Sequence, residues 1–130
     1  MSPRPMGRHA PCTLADARAR LRDAEAFLET AEIAADADVV ATNAIHAAIA
    51  AADAICCVSL RERSADGNHV VAVELLRRVD VELASALGRS VDRRTQAAYE
   101  SRDIAARDAA GCVRRAATLV EAARSRVLSN

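Results

Sequence analysis

The chain has 130 residues, 18 basic and 18 acidic side chains, and so no formal net charge at pH 7. It is 52% hydrophobic but only 2% aromatic, with four Gly and three Pro. That length suits one domain with a real core, the scarcity of Gly, Pro and aromatics counts against β-sandwiches and barrels, and neutrality counts against a broadly basic nucleic-acid binder.

Every basic residue is Arg, and about a quarter of the residues are Ala, the strongest helix former, so an all-α protein is expected. Residues 1–12 contain Pro3, Pro5 and Pro11 and lack the apolar stretch of a signal peptide. They read as a disordered arm ahead of a single domain over 13–130. The longest charge-free run, 39–52, includes Thr42, Asn43 and His46 and falls short of the roughly 18 apolar residues of a membrane span, so no membrane association is expected. Cys12, Cys56, Cys57 and Cys112 form no CxxC pair. They read as small buried hydrophobes in a reducing cytoplasm.

The first predicted helix covers 13–35. Thr13 suits its N-cap and Asp16 completes an acidic capping box. Leu14, Leu21 and Leu28 recur every seven residues with Ala17, Ala24 and Ala31 between them, a seam for close helix packing. The second helix, 38–63, has the stripe Ile45, Ile49, Ala52, Cys56 and Leu60. Ser64-Ala65-Asp66-Gly67-Asn68 is the clearest turn. The third helix, 68–87, ends with Gly88 as its C′ residue. A short polar segment follows, with room for a short helix within 90–98. The fourth helix, 102–128, has Ser101 as its N-cap and Gly111 in its interior. A mid-helix Gly costs about 1 kcal/mol, so Gly111 is expected to mark a close helix crossing. Four helices with short connections predict an up-and-down antiparallel bundle.

Charge is uneven along the chain. Residues 13–88 hold seven Arg against thirteen acids, whereas residues 89–130 hold nine Arg against five acids. A locally basic face can hold phosphate on a neutral protein. Metal chemistry has little support: there is no Glu-x-x-His pair, no HExxH, and only His9, His46 and His69. No metal and no cofactor are expected. Asn43, His46 and Asp53 share one face of the second helix and form a polar stripe on an alanine-rich surface. Such a stripe serves either interhelical hydrogen bonding or ligand contact. Two Arg-based pairs stand out. Arg63 and His69 are an Arg-x5-His pair across the predicted turn. Arg94 and Tyr99 are an Arg-x4-Tyr pair before the last helix. An Arg fork suits a phosphate, and His can move a proton near neutral pH.

The order of these pieces resembles the HEPN domain family, over about residues 13–128. The alanine-rich run Asn43–Ile55 is similar to the family's second helix. Gly67-Asn68-His69 resembles the His that opens its third helix, and Arg94-x4-Tyr99 resembles the R-x4-Y pattern before its final helix. The chain looks closest to small stand-alone actinobacterial members. The resemblance implies a homodimer that binds nucleotide or RNA. It also implies a place in a toxin–antitoxin or defence system, with an antitoxin-like nucleotidyltransferase as partner. Many members are metal-independent ribonucleases in which Arg holds the phosphate and His helps activate the ribose 2′-hydroxyl. Here Tyr99 stands where the nuclease motif has His, which counts against proton transfer and leaves binding intact. The resemblance thus gives Arg94 and Tyr99 the principal role, with Asn43, His46, Asp53 and His69 lining the cleft. Two rivals remain: an inert dimeric helical interaction module, and a metal-independent ribonuclease using Arg63 and His69.

Overall fold

A computed structural model describes residues 9–65, 69–99 and 103–130. The chain is mostly helical, as its alanine content dictates. The described helices are α1 (Leu14–Ile33), α2 (Ala37–Leu60), α3 (His69–Arg77), α4 (Val81–Tyr99) and α5 (Ala106–Leu128). Two three-residue strands, β1 (His9–Pro11) and β2 (Glu62–Ser64), pair antiparallel with His9 opposite Ser64.

Helix α2 is the centre of the molecule, flanked mainly by α1 and α5. Ala44, Ala47, Ala48, Ala51 and Ala54 are fully buried along it, beside Ile45, Ile49 and Ile55. With almost no aromatic residues to fill space, the core is built from close backbone approach. Methyl groups let neighbouring helices come near, and Leu75, Leu76, Leu87 and Leu119 fill what remains. Each such fully buried side chain contributes roughly 1.5–3 kcal/mol. By length and hydropathy α2 could also cross a bilayer, contrary to the expectation from its charge-free run, but 72% of its most apolar window is buried inside the protein. That burial is what a core helix requires.

The start of α1 follows the sequence expectation. The Thr13 side chain accepts from the Asp16 backbone N–H, and Asp16 accepts in return from the Thr13 N–H. These bonds hold the Asp16 carboxyl below its usual range. Helix α2 ends three residues earlier than expected. Arg61 adopts the left-handed region (φ 59°) and turns the chain into β2.

The expected third helix is broken in two. Asp80 accepts from the Leu83 N–H through its side chain and from Ala84 through its carbonyl, which starts α4 as an N-cap. Consequently Gly88 is not a C′ residue. It lies inside α4, where an added Cβ would meet only Val73 at 3.9 Å. The short helix allowed within 90–98 is part of α4, which runs through Tyr99, so the described residues form five helices where four were expected. Helix α5 starts from Ala105, with no side-chain cap. The expected cap, Ser101, lies outside the described residues.

Residues 9–12 depart from the expected disordered arm. β1 is paired with β2, the Cys12 N–H donates to the Arg61 carbonyl at 2.9 Å, and Cys12 is joined to Cys57 by a disulfide. Two of the four cysteines are therefore not free thiols. The argument for a reducing compartment, which rested on all four being reduced, loses its basis.

Candidate functional site

Asp53 is the principal buried charge on α2, and the fold explains how it is tolerated. It points toward α1 and β2. Arg20 of α1 donates to Asp53 Oδ2 from Nε at 3.2 Å and from Nη2 at 3.0 Å. Ser64 of β2, itself buried, donates from Oγ to Asp53 Oδ1 at 3.4 Å. Arg20 reaches outward as well, to Asp23 at 2.9 Å. Burial pushes the Asp53 carboxyl up from its ordinary range, and the charges of Arg20 and Arg63 with the Ser64 bond pull it back. A buried carboxylate that accepts two bonds from Arg20 on one oxygen and one from a hydroxyl on the other is satisfied rather than reactive. Cys56, on the next turn, is held protonated: burial and the Asp53 charge push its thiol up to about 12.

Around this pair the structure gathers several of the residues singled out from sequence. His46 stands two turns before Asp53 on α2, with its ring 5.3 Å from the Phe27 ring of α1. Burial lowers its proton affinity, and the charges of His69 and Arg20 lower it further. His69 is exposed at the first turn of α3. Arg63 is half-buried in β2 and donates from Nη1 to the Ser64 carbonyl at 3.4 Å. Its charge also acts on Asp53 and on Asp16. Arg63 and Arg20 thus act on Asp53, and His69 and Arg20 act on His46, so Arg20 is the charge common to both. Residues 66–68, between Arg63 and His69, lie outside the described residues. Asn43 is not part of this group through any described bond; its amide donates to the Val39 carbonyl of its own helix at 3.0 Å.

Arg94 and Tyr99 both lie on α4, and their side chains lie outside the described residues. The neighbouring part of α4 runs antiparallel to the first half of α5. Arg115 donates from Nε to the fully buried Ser90 at 2.7 Å, and Arg93 lies 4.0 Å from Asp108. Gly111 marks no helix crossing. The space beside it is taken by the guanidinium groups of Arg114 and Arg115.

Sequence reasoning missed three of these residues. Arg20 carried no local signal, and only the fold reveals its carboxylate partner 33 residues away. Arg114 and Arg115 did carry a local signal: they follow Gly111 by three and four residues, the spacing at which side chains lie over a preceding turn. Among the described residues no group of three or more His, Cys, Asp or Glu could hold a metal ion. No protein-family model, curated protein or solved structure matches the chain.

Proposed function

We propose that this chain is a HEPN-like helical domain that binds nucleotide or RNA phosphate, and that the phosphate-directed face is the one formed by Arg63, His69 and His46. What supports this reading is the fixed Arg20–Asp53–Ser64 cluster, with Arg63 next to Ser64 in β2 and with the charges of His69 and Arg20 acting on His46. A preorganised base lets a guanidinium meet a phosphate without further ordering. The same residues suit metal-independent cleavage. Arg63 would hold the phosphate, neutral His46 would accept the 2′-hydroxyl proton, and His69 would donate to the leaving oxygen. Arg94 and Tyr99 are the competing site. A homodimer, and a toxin–antitoxin or defence setting with a nucleotidyltransferase partner, belong to the same proposal through the family resemblance.

The test is anisotropy of a short labelled RNA at two salt concentrations, alongside a cleavage assay in EDTA. Arg63→Ala and His69→Ala are expected to weaken binding tenfold or more and to flatten its salt dependence. Arg94→Ala and Tyr99→Phe are expected to change it less than twofold. The reverse ranking would move the site to α4. No salt-sensitive binding by the wild-type chain would leave the inert interaction module as the reading.

A further inference from the structure

The Cys12–Cys57 disulfide ties residues 9–12 to the last turn of α2, and little else holds those residues. β1 and β2 are three residues each, and Pro11 of β1 has no N–H to give to the ladder. The Cys12 N–H donates to the Arg61 carbonyl at 2.9 Å, and His9 Nδ1 lies 3.1 Å from Glu62 Oε1 on side chains open to solvent. A two-stranded ribbon is marginal by itself in water, and an exposed ion pair adds little. The covalent bond is therefore what keeps β1 on β2.

The strand held in this way carries Arg63 and Ser64, and Ser64 donates to Asp53 of α2. Helix α1, in contrast, starts from its own Thr13–Asp16 cap, and Ala17, Leu21 and Ala24 are buried beyond the clasp. Opening the clasp therefore alters β2 without dismantling the helices. The pair also suits repeated opening and closing. The Cα atoms of Cys12 and Cys57 are 5.1 Å apart, within the usual span of a disulfide, and both are placed by helices that stay folded. Burial and the Asp53 charge push the neighbouring Cys56 thiol up to about 12, and a group held as a thiol does not exchange. The bond that re-forms is thus the one that broke.

We propose that Cys12 and Cys57 are a redox switch for the Arg63–His69 face, a proposal that rests on the phosphate-binding reading of that face. Oxidised, the pair clamps β1 to β2 and fixes Arg63 and Ser64. Reduced, it releases residues 9–12, loosens β2 and weakens phosphate binding. The reductant is a dithiol. Both cysteines are buried, so attack follows local opening of residues 9–12. A thiolate of the reductant attacks Cys12 Sγ, and Cys57 leaves as a thiolate and takes up a proton. The second thiol of the reductant then displaces Cys12 from the mixed disulfide. Two electrons and two protons end on Cys12 and Cys57, and the reductant ends as a disulfide. A disulfide of the same class reverses the step.

The test equilibrates the full chain in buffers of reduced and oxidised dithiothreitol at graded ratios. The thiol state is trapped and counted by mass spectrometry. Amide hydrogen exchange and anisotropy of a short labelled RNA are read on the same samples. Reduction is expected to remove the protection of amides in 62–64 while those of Leu119 and Val120 on α5 stay protected. RNA affinity is expected to fall at least fivefold, to follow the trapped thiol fraction and to return on reoxidation. Cys12→Ser should behave as the reduced chain at every ratio, and Cys56→Ala should respond as the wild type does. The switch is overturned if 62–64 keep their protection on reduction, or if α5 loses its protection with them, which would make the bond a staple for the whole fold. Unchanged RNA affinity alongside a loosened β2 would overturn the link to binding. An oxidised chain that binds no RNA yet shows the same response in 62–64 would overturn the reading of the face and uphold the clasp.

Discussion

The two charged regions of this protein differ in what neutralises them. Near the start of α1 and the later part of α2, Arg20 is spent on Asp53 and Asp23, and the carboxylate it serves is buried. On α5, Arg115 rests on a hydroxyl and a thiol, and Arg114 reaches the same notch from the exposed side. The first arrangement is a closed network whose members hold helices and strand together. The second leaves positive charge without a described carboxylate against it. The difference separates an arginine held by a buried carboxylate from one held by neutral partners, which a count of charges along the chain does not do.

The sharpest way to break this contrast is to remove one guanidinium from each region. Arg20→Ala leaves Asp53 buried without its main partner, and breaking such a pair costs about 3–5 kcal/mol. Arg115→Ala removes a charge-assisted bond to a serine and is expected to cost about 1.5 kcal/mol. Urea denaturation of both variants gives the comparison directly. Similar losses in the two would mean that the α5 arginines are as structural as Arg20.

The next effect concerns what holds β2, and with it Arg63 and Ser64, in place. The Cys12–Cys57 disulfide closes a 45-residue separation and lies beside the β1–β2 pairing. Cys12→Ser is expected to lower stability by about 2–4 kcal/mol, read by thermal or urea unfolding. The loss should be matched by the wild-type chain in excess dithiol. It should also weaken RNA binding at the Arg63–His69 face. Unchanged RNA binding would show that the disulfide does not position that face.

The sequence made the helical class legible because alanine abundance and apolar spacing act locally. The Thr13–Asp16 box was readable for the same reason: cap and partner are three residues apart. The break at Asp80 was missed although Asp is a good N-cap, because the apolar stripe through Leu76, Leu83 and Leu87 continues across it. The disulfide and the pairing of β1 with β2 were not readable at all. Cys12 and Cys57 come together only after α1 and α2 fold back on each other, and no local pattern marks a contact of that range. The same applies to Asp53. Its position on the polar stripe of α2 was clear, but its partner lies on another helix. Gly111 was expected to mark a helix crossing, but the atoms nearest an added Cβ there belong to Arg114 and Arg115 of its own helix.

Asp53 and His46 stand on one helix but respond to pH in opposite senses. The Asp53 carboxyl is raised in the folded state, so its contribution to stability is complete below the unfolded value of 3.8 and is lost as pH rises through the folded value. His46 is lowered by burial first and by His69 and Arg20 second. Its contribution is complete above the unfolded value of 6.5 and is lost as pH falls through the folded one. Acidification from neutrality should therefore weaken the fold through His46 and strengthen it through Asp53. His46→Gln is expected to remove the part of the stability loss that begins just below pH 6.5, as measured by urea midpoints between pH 7 and pH 5. Because the ring is only partly covered, this is the smallest of the expected effects. An unchanged slope in that variant would show that His46 is as well solvated in the folded chain as in the unfolded one. The base on which the proposed phosphate face stands would then be Arg20, Asp53 and Ser64 alone.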